Sequence, residues 1–171
     1  MPGAEPTITL GAVNAWPEAD VTRFLTGTLF SEDLAAVLVK RRPFRSVDEL
    51  AECAAAAWTA LPDAAKRVTF NAHPRIGDIS EVRKRQYSRH EQQSIFDASP
   101  ELLRRFSELN DLYEQKFGYR FLVVASGKTA AEMMSVLELR LENAPADEFL
   151  KAGLEKLRIN DLRIRRVVRP E

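Results

Sequence analysis

Two short polar stretches hold the residues of this chain best suited to moving a proton: HPRIGD at His73 to Asp78 and SRHEQ at Ser88 to Gln92. Histidine donates or accepts a proton near neutral pH. Glutamate supplies a fixed charge or a second proton shuttle, and serine and glutamine offer matched donors and acceptors for amides. On a helix Ser88, Glu91 and Gln92 fall at i, i+3 and i+4, so their side chains share one face and converge on one ligand. The set suits proton transfer on a nitrogen-rich, urea-like ligand that also carries a carboxylate. The same spacing has a plain structural reading. S-x-x-E is a common capping box, and a histidine before a proline is often a helix-end residue. Spacing by itself therefore leaves catalysis and capping both open.

Other chemistries are excluded more easily. Two histidines, His73 and His90, and the single Cys53 form no zinc spacing, and no acidic loop has the calcium pattern, so no metal is expected. The few glycines are dispersed and none precedes Lys-Ser or Lys-Thr, which removes a phosphate cradle. Twenty-five basic and 25 acidic residues give zero formal charge, so no bulk attraction toward nucleic acid or acidic lipid is expected and a small-molecule partner fits better. The longest apolar stretch, around Ala54 to Ala60, is far short of the roughly 20 residues of a membrane span. The lone Cys53, read as a small buried apolar residue, implies a reducing compartment, and neither end of the sequence carries a targeting signal, so the expected location is cytoplasmic.

The elements that must position these residues read as helices. Val21, Phe24, Leu25 and Thr28 recur at helical spacing, as do Leu34, Val37 and Leu38 after Ser31. Ser46 opens an Ala-rich helix that Pro62 ends, and a helix from Asp63 stops before Pro74, which places His73 at a helix end. Ser80 to Gln93 reads as loop followed by helix. Pro100 to Phe117 carries Leu102, Leu103, Phe106, Leu109 and Tyr113 on one stripe and closes at Gly118. Tyr119 to Val124 is the only β-like run, and without a partner strand it is expected as an extended segment crossing the core. Thr129 to Leu141 and Ala146 to Val168 give two terminal helices, the first burying Met133, Val136 and Leu137 and the second Phe149, Leu154, Leu157, Ile159 and Leu162. The expected fold is all-α: one compact multi-helix domain over residues 1–171 with one extended segment near Phe117 to Val124. Trp16 and Trp58 are assigned to the core, His90 to the surface, and Arg75 to either a positioning charge or a loop ion pair.

Taken together, HPRIG at His73 to Gly77, SRHEQ at Ser88 to Gln92 and N-x-x-Y-x-x-KFGYRFLV at Asn110 to Val123 resemble the OHCU decarboxylases, which convert 2-oxo-4-hydroxy-4-carboxy-5-ureidoimidazoline into (S)-allantoin. The resemblance covers nearly the whole chain, including LRIRRVV at Leu162 to Val168, and three ordered motifs are far more specific than any one. It implies His73 and Glu91 as catalytic residues. It also implies Pro74, Ser88 and Gln92 as substrate-binding, the backbone of Phe121, Leu122 and Val123 as facing the substrate, and Arg163 as the active-site arginine. Arg158, Arg165, Arg166 and Arg169 are read as a solvated basic face. A homodimer is implied too, although no coiled-coil seam demonstrates it. No cofactor is expected, because the substrate's own C=N bond lies next to the carbon that loses CO2 and accepts the electrons. Two rivals stand beside this reading: a helical binding module without turnover, which predicts an exposed apolar patch and no enclosed site, and a hydrolase acting on a neighbouring ureide.

Overall fold

Hydroxyl caps set many of the helix starts. Ser31, Ser46, Ser99 and Thr129 each accept from a backbone N–H three residues on, at 3.0–3.2 Å, which satisfies a donor that has no partner inside its helix. The computed structural model describes residues 7–84 and 91–171. The helices within them are α1 (Leu10–Ala15), α2 (Glu18–Leu29), α3 (Glu32–Lys40), α4 (Val47–Ala60), α5 (Asp63–Ala72), α6 (Ile79–Lys84), α7 (Pro100–Phe117), α8 (Ala130–Leu141) and α9 (Pro145–Val167). A short 3-10 helix spans Gln93–Asp97. The all-α expectation holds.

Of the described residues, 7–69 and 157–171 form one compact unit and 70–84 with 91–156 a second. In the first, α2 packs on α3 and α3 on α4, burying Val21, Leu25, Leu29, Leu34, Leu38, Leu50 and Trp58. The second is built around aromatic rings, with α7 against α8. Tyr113 packs on Phe117 and Phe121 at centroid separations of 4.7 and 5.4 Å, and Phe70 on Tyr119 at 5.1 Å. Edge and tilted pairs of this kind each contribute about 0.5–1.5 kcal/mol beyond the area they bury.

After Gly118, whose φ of 78° closes α7, the chain runs extended through the second unit. Phe121, Leu122 and Val123 are buried, and among the described residues no strand pairs with this segment; side chains bind its backbone instead. Asn71 accepts from the Arg120 N–H at 3.0 Å, Arg140 donates to the Leu122 carbonyl, and Glu155 accepts from the Val124 N–H at 2.7 Å. Arg140 is held in turn by Glu148, which also accepts from the Tyr113 hydroxyl and from Asn143.

Several expectations need correction. Among the described residues the strands are Ile8–Thr9 and Val168–Arg169, a two-residue parallel pair in the first unit, too short to leave a sequence signal. Helix α6 occupies the start of the stretch read as loop, because Asp78 caps it by accepting from the Glu81 N–H at 3.1 Å. Leu154 and Leu162 of α9 are 54% and 44% exposed. The buried stripe of that helix carries Glu148, Glu155, Lys156, Asn160 and Arg163 alongside Ala152, Ile159, Ile164 and Val167. Trp16 is 37% exposed, its ring edge against Phe24, because it closes α1 just before Pro17. Cys53 is half-buried.

Candidate active site

Helix α5 delivers His73 to the second unit. The His73 N–H donates to the Phe70 carbonyl at 3.3 Å, one last helical bond, and Pro74 then turns the chain away. Both residues are buried, His73 to 4% exposure. The His73 carbonyl accepts from Arg120 Nη1 at 2.6 Å. Arg75 is the loop ion pair: its guanidinium takes Glu114 through two bonds of 2.8 and 2.7 Å and Asp111 at 2.8 Å. The hydrogen bond to Glu114 is the main reason its pKa is raised, against an opposing effect of burial. Burial pushes the Asp78 carboxyl up, but N–H and hydroxyl donors from Glu81 and Ser80 outweigh it and leave the pKa lowered. A recess of about 290 Å³ lies against this loop, lined by residues 75–79 with Leu103, Ser107 and Asn110.

The two polar motifs meet at Gln92. Gly77 takes a positive φ of 87°, and its N–H donates to Gln92 Oε1 at 3.2 Å. Glu91 is helical and half-buried, whereas Gln92, at φ −103° and ψ 34°, has left the helix and opens the 3-10 turn. Gln92 therefore lies off the expected helix face and reaches the loop from the turn. Ser88 and His90 lie outside the described residues.

Arg163 sits in the first unit and is fully buried, its Nη1 donating to the Thr28 carbonyl at 3.0 Å and its guanidinium 4.3 Å from the centre of the Phe30 ring. Among its neighbours Arg158, Arg165 and Arg169 are exposed, and Arg166 is half-buried. The charge of Arg163 is thus held inside by a carbonyl and an aromatic face.

A family model described as OHCU decarboxylase matches residues 14–165, a span that takes in every site residue named above. The chain belongs to the OHCU decarboxylase family. A relative in Arabidopsis thaliana, named uric acid degradation bifunctional protein TTL, is 39% identical over 102 residues, covering 56% of this chain and 31% of that protein. This chain therefore spans about a third of that first relative's length. A protein of Halalkalicoccus jeotgali named 2-oxo-4-hydroxy-4-carboxy-5-ureidoimidazoline decarboxylase is 24% identical, covering 90% of this chain and 89% of its own. A crystal structure of OHCU decarboxylase in the presence of (S)-allantoin superposes with a TM-score of 0.73 at 28% identity, covering 82% of this chain and 94% of that one.

Along the extended segment the Leu122 carbonyl accepts from Arg140 and the Val124 N–H donates to Glu155. Sequence reasoning missed Glu81, Arg120, Arg140, Glu148 and Glu155. The one available signal was charge inside apolar surroundings: Arg120 interrupts FGYRFLV, and Glu148 and Glu155 stand seven apart on α9. Among the described residues no three His, Cys, Asp or Glu side chains gather closely enough to hold a metal ion.

Proposed function

We propose that this chain decarboxylates 2-oxo-4-hydroxy-4-carboxy-5-ureidoimidazoline to (S)-allantoin, without a cofactor, using His73 and Glu91 for proton transfer. The family match across residues 14–165 carries this reading. The bond between Gly77 and Gln92, which joins the motif bearing His73 to the one bearing Glu91, supports it.

The substrate's carboxylate leaves from a carbon that also bears a hydroxyl and adjoins a C=N bond. Breaking the C–C bond sends the electron pair toward that C=N group, whose nitrogen takes a proton. The hydroxyl-bearing carbon then becomes a carbonyl as its O–H proton departs, and the former imine carbon takes the proton that sets the S configuration. The protein has to hold the carboxylate out of the ring plane, keep water from it and offer the proton to one face. His73 manages the proton of the hydroxyl and departing carboxylate region, and Glu91 steers the ring and takes part in stereospecific protonation. Gln92, with its amide oxygen on Gly77, offers its amide nitrogen to the ureido arm, and Ser88 assists. Pro74 shapes the wall, and backbone groups of Phe121, Leu122 and Val123 face the ligand.

The same reading places the enzyme in the cytoplasm as a homodimer. The lone Cys53 fits a reducing compartment. Leu139, Leu150 and Leu154, 72%, 67% and 54% exposed, supply apolar surface suited to a second copy. Light scattering on wild type and on Leu150→Asp tests the dimer, with a monomeric wild type counting against it.

The deciding experiment generates the unstable substrate from urate with upstream enzymes, adds this protein, and follows CO2 and optical activity. Spontaneous decay gives racemic allantoin, so an excess of the S enantiomer is the expected result. Racemic product at the uncatalysed rate sinks the proposal, and a product that has gained water without losing CO2 favours the hydrolase instead.

A further inference from the structure

The last carbonyls of an α-helix have no partner within it, and at the end of α5 one of them belongs to His73 itself. Pro74 follows and brings no N–H, so the turn out of the helix depends on partners from elsewhere. The partner for His73 comes from 47 residues along the chain: Arg120 Nη1 donates to its carbonyl at 2.6 Å, a cation placed where the helix dipole is negative. The same Nη1 lies 3.0 Å from Glu81 Oε2, and that oxygen also accepts the Arg75 N–H at 3.2 Å. The backbone N–H of Arg120 holds Asn71 Oδ1 at 3.0 Å. One residue thus grips the chain before, at and, through Glu81, after the Pro74 turn.

We propose that Arg120 is a positioning residue for His73, fixing the histidine's main chain and so the direction of its imidazole. This rests on His73 being the catalytic histidine. The planar guanidinium fork addresses a carbonyl and a carboxylate at once, a geometry a lysine ammonium reproduces only in part. Arg120 also adjoins Phe121 in the extended segment, so it ties that segment to the histidine turn. A displacement of about 1 Å in a proton-transfer group costs on the order of 10²-fold in rate, whereas groups that only bind the ligand are little affected.

The test compares turnover on freshly generated substrate, (S)-allantoin affinity and thermal melting for wild type, Arg120→Gln, Arg120→Lys, Glu81→Gln, His73→Asn and the Arg120→Gln/His73→Asn double variant. Arg120→Gln is expected to lower kcat by about 10- to 100-fold while KM and product affinity change by less than about threefold. Arg120→Lys should recover part of the kcat. On the His73→Asn background, read at high enzyme concentration, Arg120→Gln should cost nothing further, because its effect runs through the missing imidazole. If Arg120→Gln does not fold, Glu81→Gln carries the test: it keeps the contact to the His73 carbonyl, loosens the guanidinium, and should show a smaller loss confined to kcat. Wild-type kcat in these variants, equal losses of kcat and product affinity, or a full additional loss on the His73→Asn background would overturn the role of Arg120 and leave the reaction standing. A wild-type chain without turnover would overturn both.

Discussion

The Gly77 N–H donates to Gln92 Oε1 at 3.2 Å, and through this bond the loop after His73 and the turn after Glu91 hold one another in place. It also fixes the oxygen as the end of the Gln92 amide that the loop uses, and the proposed reaction assigns the nitrogen to the ligand. Gln92→Glu keeps an acceptor for Gly77 and removes the donor. It should melt below wild type, because Gln92 is only 3% exposed and the new carboxylate is buried, and the folded variant should lose about 1–3 kcal/mol of (S)-allantoin affinity by calorimetric titration. Wild-type affinity would place the Gln92 nitrogen outside the site.

Gly77→Ala attacks the same junction from the other side. The φ of 87° is strained for any residue with a Cβ, and the added carbon would stand 2.9 Å from Phe106 Cβ. The backbone term alone is about 1–2 kcal/mol. We expect a lower melting temperature together with a loss of turnover, because the N–H that holds Gln92 moves with the backbone. A destabilised variant with full turnover per folded molecule would show that the loop and the site are uncoupled.

His73→Asn and Glu91→Gln keep approximate shape and remove proton chemistry. Each should fold cooperatively and lose roughly 10²–10⁴-fold in turnover. Should Glu91→Gln lower the melting temperature while sparing the rate, Glu91 belongs to helix capping and the S-x-x-E spacing was a structural signal.

How far the sequence was legible depended on whether apolar side chains carried the information. Helices α2, α3, α4 and α7 followed from leucine and phenylalanine spacing together with Ser and Pro punctuation, and their buried faces match it. Helix α9 misled because its buried stripe is largely charged or amide: Glu148, Glu155, Lys156, Asn160 and Arg163 point inward while Leu150, Leu154 and Leu162 point out. Periodicity weighs residues by hydropathy, so a helix that buries paired charge is read with the wrong face. The site shows the same division. His73, Glu91 and Gln92 were named from motifs, whereas Arg120 and Glu81, which hold the histidine turn, act through contacts 39 and 47 residues apart in sequence that no local pattern announces.

The buried charge gives a pH prediction. Glu148 accepts from Tyr113, Arg140 and Asn143, and the Arg140 and Glu148 side chains are only 5% and 0% exposed. Removing one partner of so buried a pair strands the other, so Glu148→Gln should cost about 3–5 kcal/mol of stability in denaturant titrations near neutral pH. Burial first, and then the hydrogen bond to Glu148, raises the pKa of Tyr113. In the unfolded chain a tyrosine ionises near pH 10. Above that pH the unfolded state binds fewer protons than the folded state at Tyr113, so stability is present in full below about pH 10 and falls as the pH rises further. Tyr113→Phe removes this group. Its melting temperature should fall less steeply than that of wild type between about pH 10 and pH 11.5. Parallel alkaline slopes in the two proteins would mean that Tyr113 ionises as freely in the fold as outside it, and the phenol could not then be the donor that Glu148 requires.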